Sequence, residues 1–237
     1  MAEKTRRDFW LYLKLSLRWR RLFYNYLGIF NYQTLGKFTL TEAPLSKLST
    51  CSGRSRVIDA AERLFRARGY SNVTMRDIAS YVGIRQASLY YHFESKEHLY
   101  VAVTELEFEH HHKGLQNAIE QQDNLRAQLN CAANWFLSQP PVHLLSMLHT
   151  DMPCLSEENL KKLSASSRRC IFIPVQQMFE VAQQKGEIRS CRANVLAGFF
   201  LSVMESIPMV ISGSEVEAKQ VIVNEMIDVL LDGLTPK

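Results

Sequence analysis

Residues 74–96 read TMRDIASYVGIRQASLYYHFESK. The first half carries Met75, Ile78, Ala79 and Val82 at the i, i+3, i+4, i+7 spacing that puts apolar side chains on one face of a helix. Thr74 precedes that run as an N-cap, because its hydroxyl can accept a backbone N–H that the first turn leaves unpaired. Gly83 closes the helix. The spacing predicts a second short helix from about Arg85 to His92, with Leu89 and Phe93 one turn apart. Two short helices joined at a glycine, each with a narrow apolar face, fit a helix-turn-helix. If Leu89 and Phe93 face inward, Arg85, Gln86, Ser88, Tyr90, Tyr91 and His92 are left to donate to phosphates or read base edges in a major groove.

Upstream, residues 54–69 read as another helix, with Val57, Ile58, Ala61, Leu64 and Phe65 on one face and Gly69 at the C-cap. Downstream, Ser95 can cap a fourth helix running from Lys96 to about His112. After residue 120 the pattern is long amphipathic helices, at 123–138, 142–150, 157–185, 193–211 and 215–232. Pro140-Pro141, Pro153, Gly186 and Ser212-Gly213-Ser214 separate them. Pro174, inside the third of these, should kink or divide it.

Charge is distributed unevenly. Residues 1–53 hold nine Lys/Arg against three Asp/Glu, residues 54–100 eight against five, and residues 101–237 eleven against sixteen. A basic front and an acidic rear suit a chain that meets a polyanion with its N-terminal part. The first fifty residues also hold ten of the chain's 24 aromatic residues, including Trp10 and Trp19. Lys14, Arg18, Arg20 and Arg21 interrupt that apolar run and argue against a spanning helix, and no convincing cleavage site marks a signal peptide. A basic aromatic helix can lie on a membrane surface or add DNA contacts. A plain extension fits the same composition. Five cysteines, at 51, 131, 154, 170 and 191, form no CxxC pair and point to reduced thiols in a cytoplasmic protein.

The stretch from residue 54 to about 105 resembles the TetR family. The resemblance rests on Ala60-Ala61-x-x-Leu64-Phe65, Gly69-Tyr70, Thr74-x-x-x-Ile78-Ala79, Val82-Gly83, and Leu89-Tyr-Tyr-His-Phe93 followed by Ser95-Lys96-Glu97. It implies that Thr74 caps the second helix and touches a phosphate, and that Arg85, Gln86 and Ala87 lie closest to bases. By the same resemblance Ser88, Tyr90, Tyr91 and His92 contact phosphate or sugar, and Lys96 reaches the backbone from the first turn of the fourth helix. Arg85 stands where the family usually has a small hydroxyl residue, and Gln86 where it often has Lys. Arg suits a guanine edge and Gln an adenine edge, so this pair is expected to set a specificity of its own.

The fold class expected is all-α: a three-helix helix-turn-helix DNA-binding domain at 54–100, then a larger helical effector-binding and dimerisation domain at 101–237, behind the extension at 1–53. A single short helix makes few contacts, so two half-sites and a homodimer on a pseudo-palindromic operator in double-stranded DNA are expected. Val195, Leu196, Phe199, Phe200, Val203 and Met204, with Val221, Ile222, Met226, Val229 and Leu230, would pair the last two helices with those of a second copy. Burial within one chain is the competing use of that face. A small-molecule effector would sit among Trp135, Phe136, Met147, Met152, Phe172, Met178 and Phe179, with His143, His149 or Asp151 as polar anchors. Aromatic and Met residues at this spacing also serve as plain core.

His110-His111-His112 point about 100° apart on a helix and cannot converge on one metal ion. A solvated helix end, or pairing with Glu107 and Glu109, is expected instead. The chain lacks a Gly-rich phosphate loop, an HExxH and a GxSxG elbow, and neither catalytic residue nor cofactor is implied. The function expected is therefore repression of transcription, released by an effector. The competing expectation is a membrane-surface binding protein acting through residues 1–53.

Overall fold

The computed structural model describes residues 53–139, 147, 151–210 and 216–235, with side chains left out at 208–210 and 216–218. The readings made for residues 1–52, for His143 and His149, and for Ser212-Gly213-Ser214 lie outside the described residues, as does most of the 142–150 helix. Among the described residues the chain is helical throughout, without strands.

Helix α1 spans Gly53–Arg68 and buries Val57, Ile58, Ala60, Ala61, Leu64 and Phe65, the face its apolar spacing marks out. Gly69 follows at φ 75°, a left-handed angle only glycine adopts without strain, and its N–H reaches the Phe65 carbonyl at 2.7 Å. A single 3-10 turn, Tyr70–Asn72, leads to α2, Met75–Val82, and then to α3, Gln86–His92. Helix α1 packs against α2, which packs on α3, and against α4, Lys96–Ile119, which is a turn and more longer than its sequence suggests. The reason is tertiary. His111, expected at a solvated helix end, is 4% exposed, because Trp135 and Phe136 of α5 cover it.

Helix α5 spans Leu125–Ser138 and packs along α4. Its N-cap, Asn124, accepts the Ala127 N–H at 2.9 Å. A 3-10 turn, Met152–Cys154, precedes α6, Glu157–Ser167. The 157–185 segment is divided as Pro174 requires, without a break. A π-helical turn at Arg168–Phe172 widens the coil just before the proline, and α7, Ile173–Gln184, continues with Pro174 in its first turn. The last helices are α8, Ala193–Val210, and α9, Val216–Asp232. One buried apolar cluster runs from Val57 through Phe108, Leu129 and Phe179 to Ile227. Within the described residues no helix is long and apolar enough to cross a membrane.

Candidate nucleic-acid interface

The turn of the motif is built from local bonds. Thr74 Oγ1 accepts the Asp77 N–H at 3.1 Å, and Asp77 returns the favour by accepting from the Thr74 N–H at 2.9 Å and from its hydroxyl at 2.6 Å. This reciprocal cap fixes the start of α2 and holds the Asp77 carboxyl below its usual range, the Thr74 hydroxyl contributing most. The Thr74 hydroxyl hydrogen is therefore already given to Asp77. Gly83, in the left-handed region at φ 75°, turns the chain, and the Ile84 N–H bonds to the Ala79 carbonyl at 3.0 Å. Arg56 of α1 donates to the Val82 carbonyl at 3.3 Å and ties the end of α2 to the first helix.

Arg85 is the N-cap of α3, and its side chain makes no capping bond. The guanidinium is thus left in solvent. Leu89 and Phe93 are both 0% exposed and hold α3 against the core. Around them Arg85, Gln86, Ala87, Ser88, Tyr90 and Tyr91 are exposed, Tyr91 by 87% and Tyr90 by 46%. The Tyr91 ring therefore stands free of the core. His92 is half-buried, its ring edge-on to Tyr91 at 5.4 Å.

Lys96 is fastened. Its Nζ donates to the Tyr70 carbonyl at 2.9 Å and sits 4.1 Å from the centre of the Tyr70 ring. An ammonium has three N–H donors, so two remain for other acceptors. Arg54, which the motif does not include, lies over the Phe93 ring at 4.9 Å and places a cation beside the C-terminal end of α3. A signal for it was available in the basic Arg54-Ser55-Arg56 that opens α1.

The expected effector residues are spread over several elements. Trp135 and Phe136 stand on α5 against α4, half-buried, while Phe172 and Phe179 stand on the π turn and α7, Phe179 fully buried. Met147 is half-buried and packs on the same apolar cluster, whereas Met152 and Met178 are core. Asp151 accepts from the Tyr100 hydroxyl at 3.1 Å. Burial, together with the Asp151 charge, pushes that phenol well above its usual range. A hollow of about 410 Å³ is lined by His110, Lys113, Gly114, Asn117, Ala118 and Trp135, and takes in only Trp135 of the expected set.

The histidines do not pair with Glu107 and Glu109. His110 bonds to Gln139 at 3.0 Å and His112 to the Cys170 carbonyl at 3.2 Å. Glu107 and Glu109 are instead engaged by Arg66, at 2.8 Å, and by Arg169. His111 is buried, and burial above all lowers its pKa to about 4, so the ring is neutral. A second contact unforeseen in the sequence ties α4 to α6. Glu97 accepts from the Ser156 N–H and hydroxyl, both at 2.7 Å, and from the Asn159 amide at 2.8 Å, which holds its carboxyl below the usual range.

Residues 57–103 match the family described as bacterial regulatory proteins, tetR family. The negative transcriptional regulator IcaR of the biofilm operon icaADBC in Staphylococcus aureus (strain Newman) is 49% identical over 47 residues, 20% of this chain and 25% of that protein. The chain thus spans about a quarter of the length of the curated relatives it matches. Over most of the described fold it is similar to AibR, solved with isovaleryl coenzyme A and operator DNA, with a TM-score of 0.62, 21% identity, and coverage of 74% of this chain and 96% of that one. A tetR-family regulatory protein from Rhodococcus RHA1 is as similar, with a TM-score of 0.62, 18% identity, and coverage of 79% and 100%. The motif residues, the buried anchors of α3 and these matches agree: residues 57–103 are similar to the helix-turn-helix domain of the tetR family of bacterial regulatory proteins, and the chain as a whole shares the fold of the solved regulators.

Proposed function

We propose that this chain is a homodimeric, sequence-specific DNA-binding repressor of transcription whose hold on DNA is released by a small-molecule effector. The observation that carries the reading is α3. Leu89 and Phe93 are buried, while Arg85, Gln86, Ala87, Ser88, Tyr90 and Tyr91 remain in solvent on a helix short enough to enter a major groove. Arg85 and Gln86 read bases, Ser88, Tyr90, Tyr91 and His92 meet phosphate or sugar, and Lys96 and Arg54 flank them. Thr74 serves chiefly as the cap that aims α2, its hydroxyl being engaged by Asp77. The helix-turn-helix domain is residues 54–100, and residues 101–237 supply effector binding and dimerisation.

Dimerisation is supported by apolar side chains that the single chain leaves uncovered. Val195 and Phe199 of α8 are 56% and 51% exposed, and Val221 and Val229 of α9 are 54% and 73% exposed. The opposite faces, with Ala197, Phe200, Met204, Val223 and Ile227, are already buried. Two such helices meeting their copies would form a four-helix interface. Effector release is supported by the hollow that Trp135 borders, beside the half-buried Phe136, and by similarity to a regulator solved with both isovaleryl coenzyme A and operator DNA. The effector would favour a dimer state whose recognition helices no longer match the half-sites.

The test is a titration of the full chain against short duplexes tiled across the DNA flanking its own gene, with random duplex as control, at two salt concentrations. Tight binding to one pseudo-palindromic tile, with two subunits or a multiple per site, is expected. Equal, salt-sensitive binding to every tile would leave only a basic surface. No binding by folded protein would favour the membrane-surface reading of residues 1–53.

A further inference from the structure

Among the described residues, two ring nitrogens are buried without a hydrogen-bond partner where α4 meets α5: Nδ1 of His111 and Nε1 of Trp135. They belong to one aromatic group. The His111 ring stacks on Phe136 at 5.9 Å and 27°, and stands edge-on to Trp135 at 6.3 Å and 80°. The indole is held firmly. A Cβ on Gly114 would fall 1.9 Å from its Cζ2, so α4 keeps a glycine where the indole lies against its backbone. A buried polar group without a partner is costly, and in native proteins such groups usually find protein, water or a ligand. Here two of them come from facing helices, on rings whose centres are 6.3 Å apart.

The chemistry of the pair restricts what can satisfy it. Indole Nε1–H only donates, so its partner must accept. Imidazole Nδ1 donates or accepts according to tautomer, and burial keeps that ring uncharged at neutral pH. A hydroxyl oxygen can accept from the indole and donate to the imidazole, and a carbonyl oxygen can accept from both. A charged group would be desolvated there beside rings that carry no charge.

We propose that His111 and Trp135 form the polar subsite of the effector pocket and that the effector is an uncharged, largely apolar molecule bearing a hydroxyl or carbonyl oxygen. This rests on the regulator reading and makes it specific. Phe136 supplies the apolar wall beside the oxygen. Gly114 keeps the indole seated, and His110, engaged with Gln139, lies against the same indole at 5.3 Å between ring centres.

The experiment uses the full chain labelled with 15N at its tryptophan indoles, whose signals are assigned by loss of one in W135F. The probes are phenol, toluene, benzoate and benzylamine, of similar shape and different polarity. Phenol should move the Trp135 signal saturably and bind about tenfold more tightly than the other three, roughly the worth of one hydrogen bond to a buried group. H111F should bring phenol to within about twofold of toluene, and H111Q, which restores a polar side chain, should recover part of the difference. Equal binding of phenol and toluene, tightest binding of benzoate or benzylamine, or an unmoved Trp135 signal would overturn the assignment. The same samples are titrated with the operator tile. Operator binding with no phenol preference removes this subsite and leaves the regulator reading intact, and loss of operator binding by folded wild type removes that reading itself.

Discussion

Helix α3 and the seam between α4 and α5 treat their polar groups in opposite ways. On α3, Arg85, Gln86, Ser88 and the two tyrosines stand in water around a pair of fully buried apolar anchors. In the seam, an imidazole and an indole nitrogen are buried among aromatic rings with no partner among the described residues. Water satisfies the first set until another polar surface displaces it, so keeping those groups unpaired costs little. The second set has lost its water, and each group carries a desolvation penalty of about 1–3 kcal/mol while unpaired. One region is ready for a large polar partner, whereas the other is satisfied only by something small enough to enter.

The largest effect should come from removing an anchor on the α3 side. Phe93→Ala should cost about 3–5 kcal/mol in urea unfolding and abolish operator binding. A cost below about 1 kcal/mol would mean that α3 is positioned by its cap and turn alone. The seam should answer to pH. His111 has a folded pKa of about 4, below its usual value of 6.5, so the unfolded chain takes the proton first. Stability from this group is complete above about pH 6.5 and falls away as pH drops towards 4, by at most about 3 kcal/mol. Urea midpoints for wild type and H111F between pH 7 and 4 should therefore diverge in slope, wild type losing more. Parallel curves would show that His111 is not buried.

Gly114→Ala sharpens the same contrast. At an exposed helix position the change would gain about 1 kcal/mol. Against Trp135 it should instead cost about 1–3 kcal/mol, and W135A should relieve that cost in the double variant. A stabilised single variant would mean that the indole moves aside freely. The smallest effect is Thr74→Ala, about 1 kcal/mol from the lost cap, together with a rise of the Asp77 pKa towards its ordinary value, followed by NMR titration of that carboxyl.

These two regions were also unequally legible. Local patterns were enough for the helix-turn-helix. Val57 to Phe65, Met75 to Val82, and Leu89 with Phe93 each mark a buried face by spacing, while Thr74, Ser95 and Gly83 mark ends by chemistry confined to one turn. The reciprocal bond from Asp77 was within reach of the same reasoning, because it lies three residues from Thr74. The seam was not legible. Three consecutive histidines look like a polar helix end, and only a second helix bringing Trp135 and Phe136 over the middle one turns it into core. Glu97 and Ser156 are likewise 59 positions apart, and no local pattern joins them. Pro174 was read rightly as an obstacle, but the π turn that absorbs it depends on how 168–172 pack.

The most direct test of the account is the affinity of wild type and Arg85→Ala for the operator tile, for the tile changed at single base pairs, and for random duplex. Arg85 is exposed, makes no capping bond, and opens α3. The account predicts a loss of about 1–3 kcal/mol on the operator, relaxed discrimination at one base position, and little change on random DNA. The same loss on operator and random duplex would contradict it, making Arg85 a phosphate contact and leaving α3 without its reader.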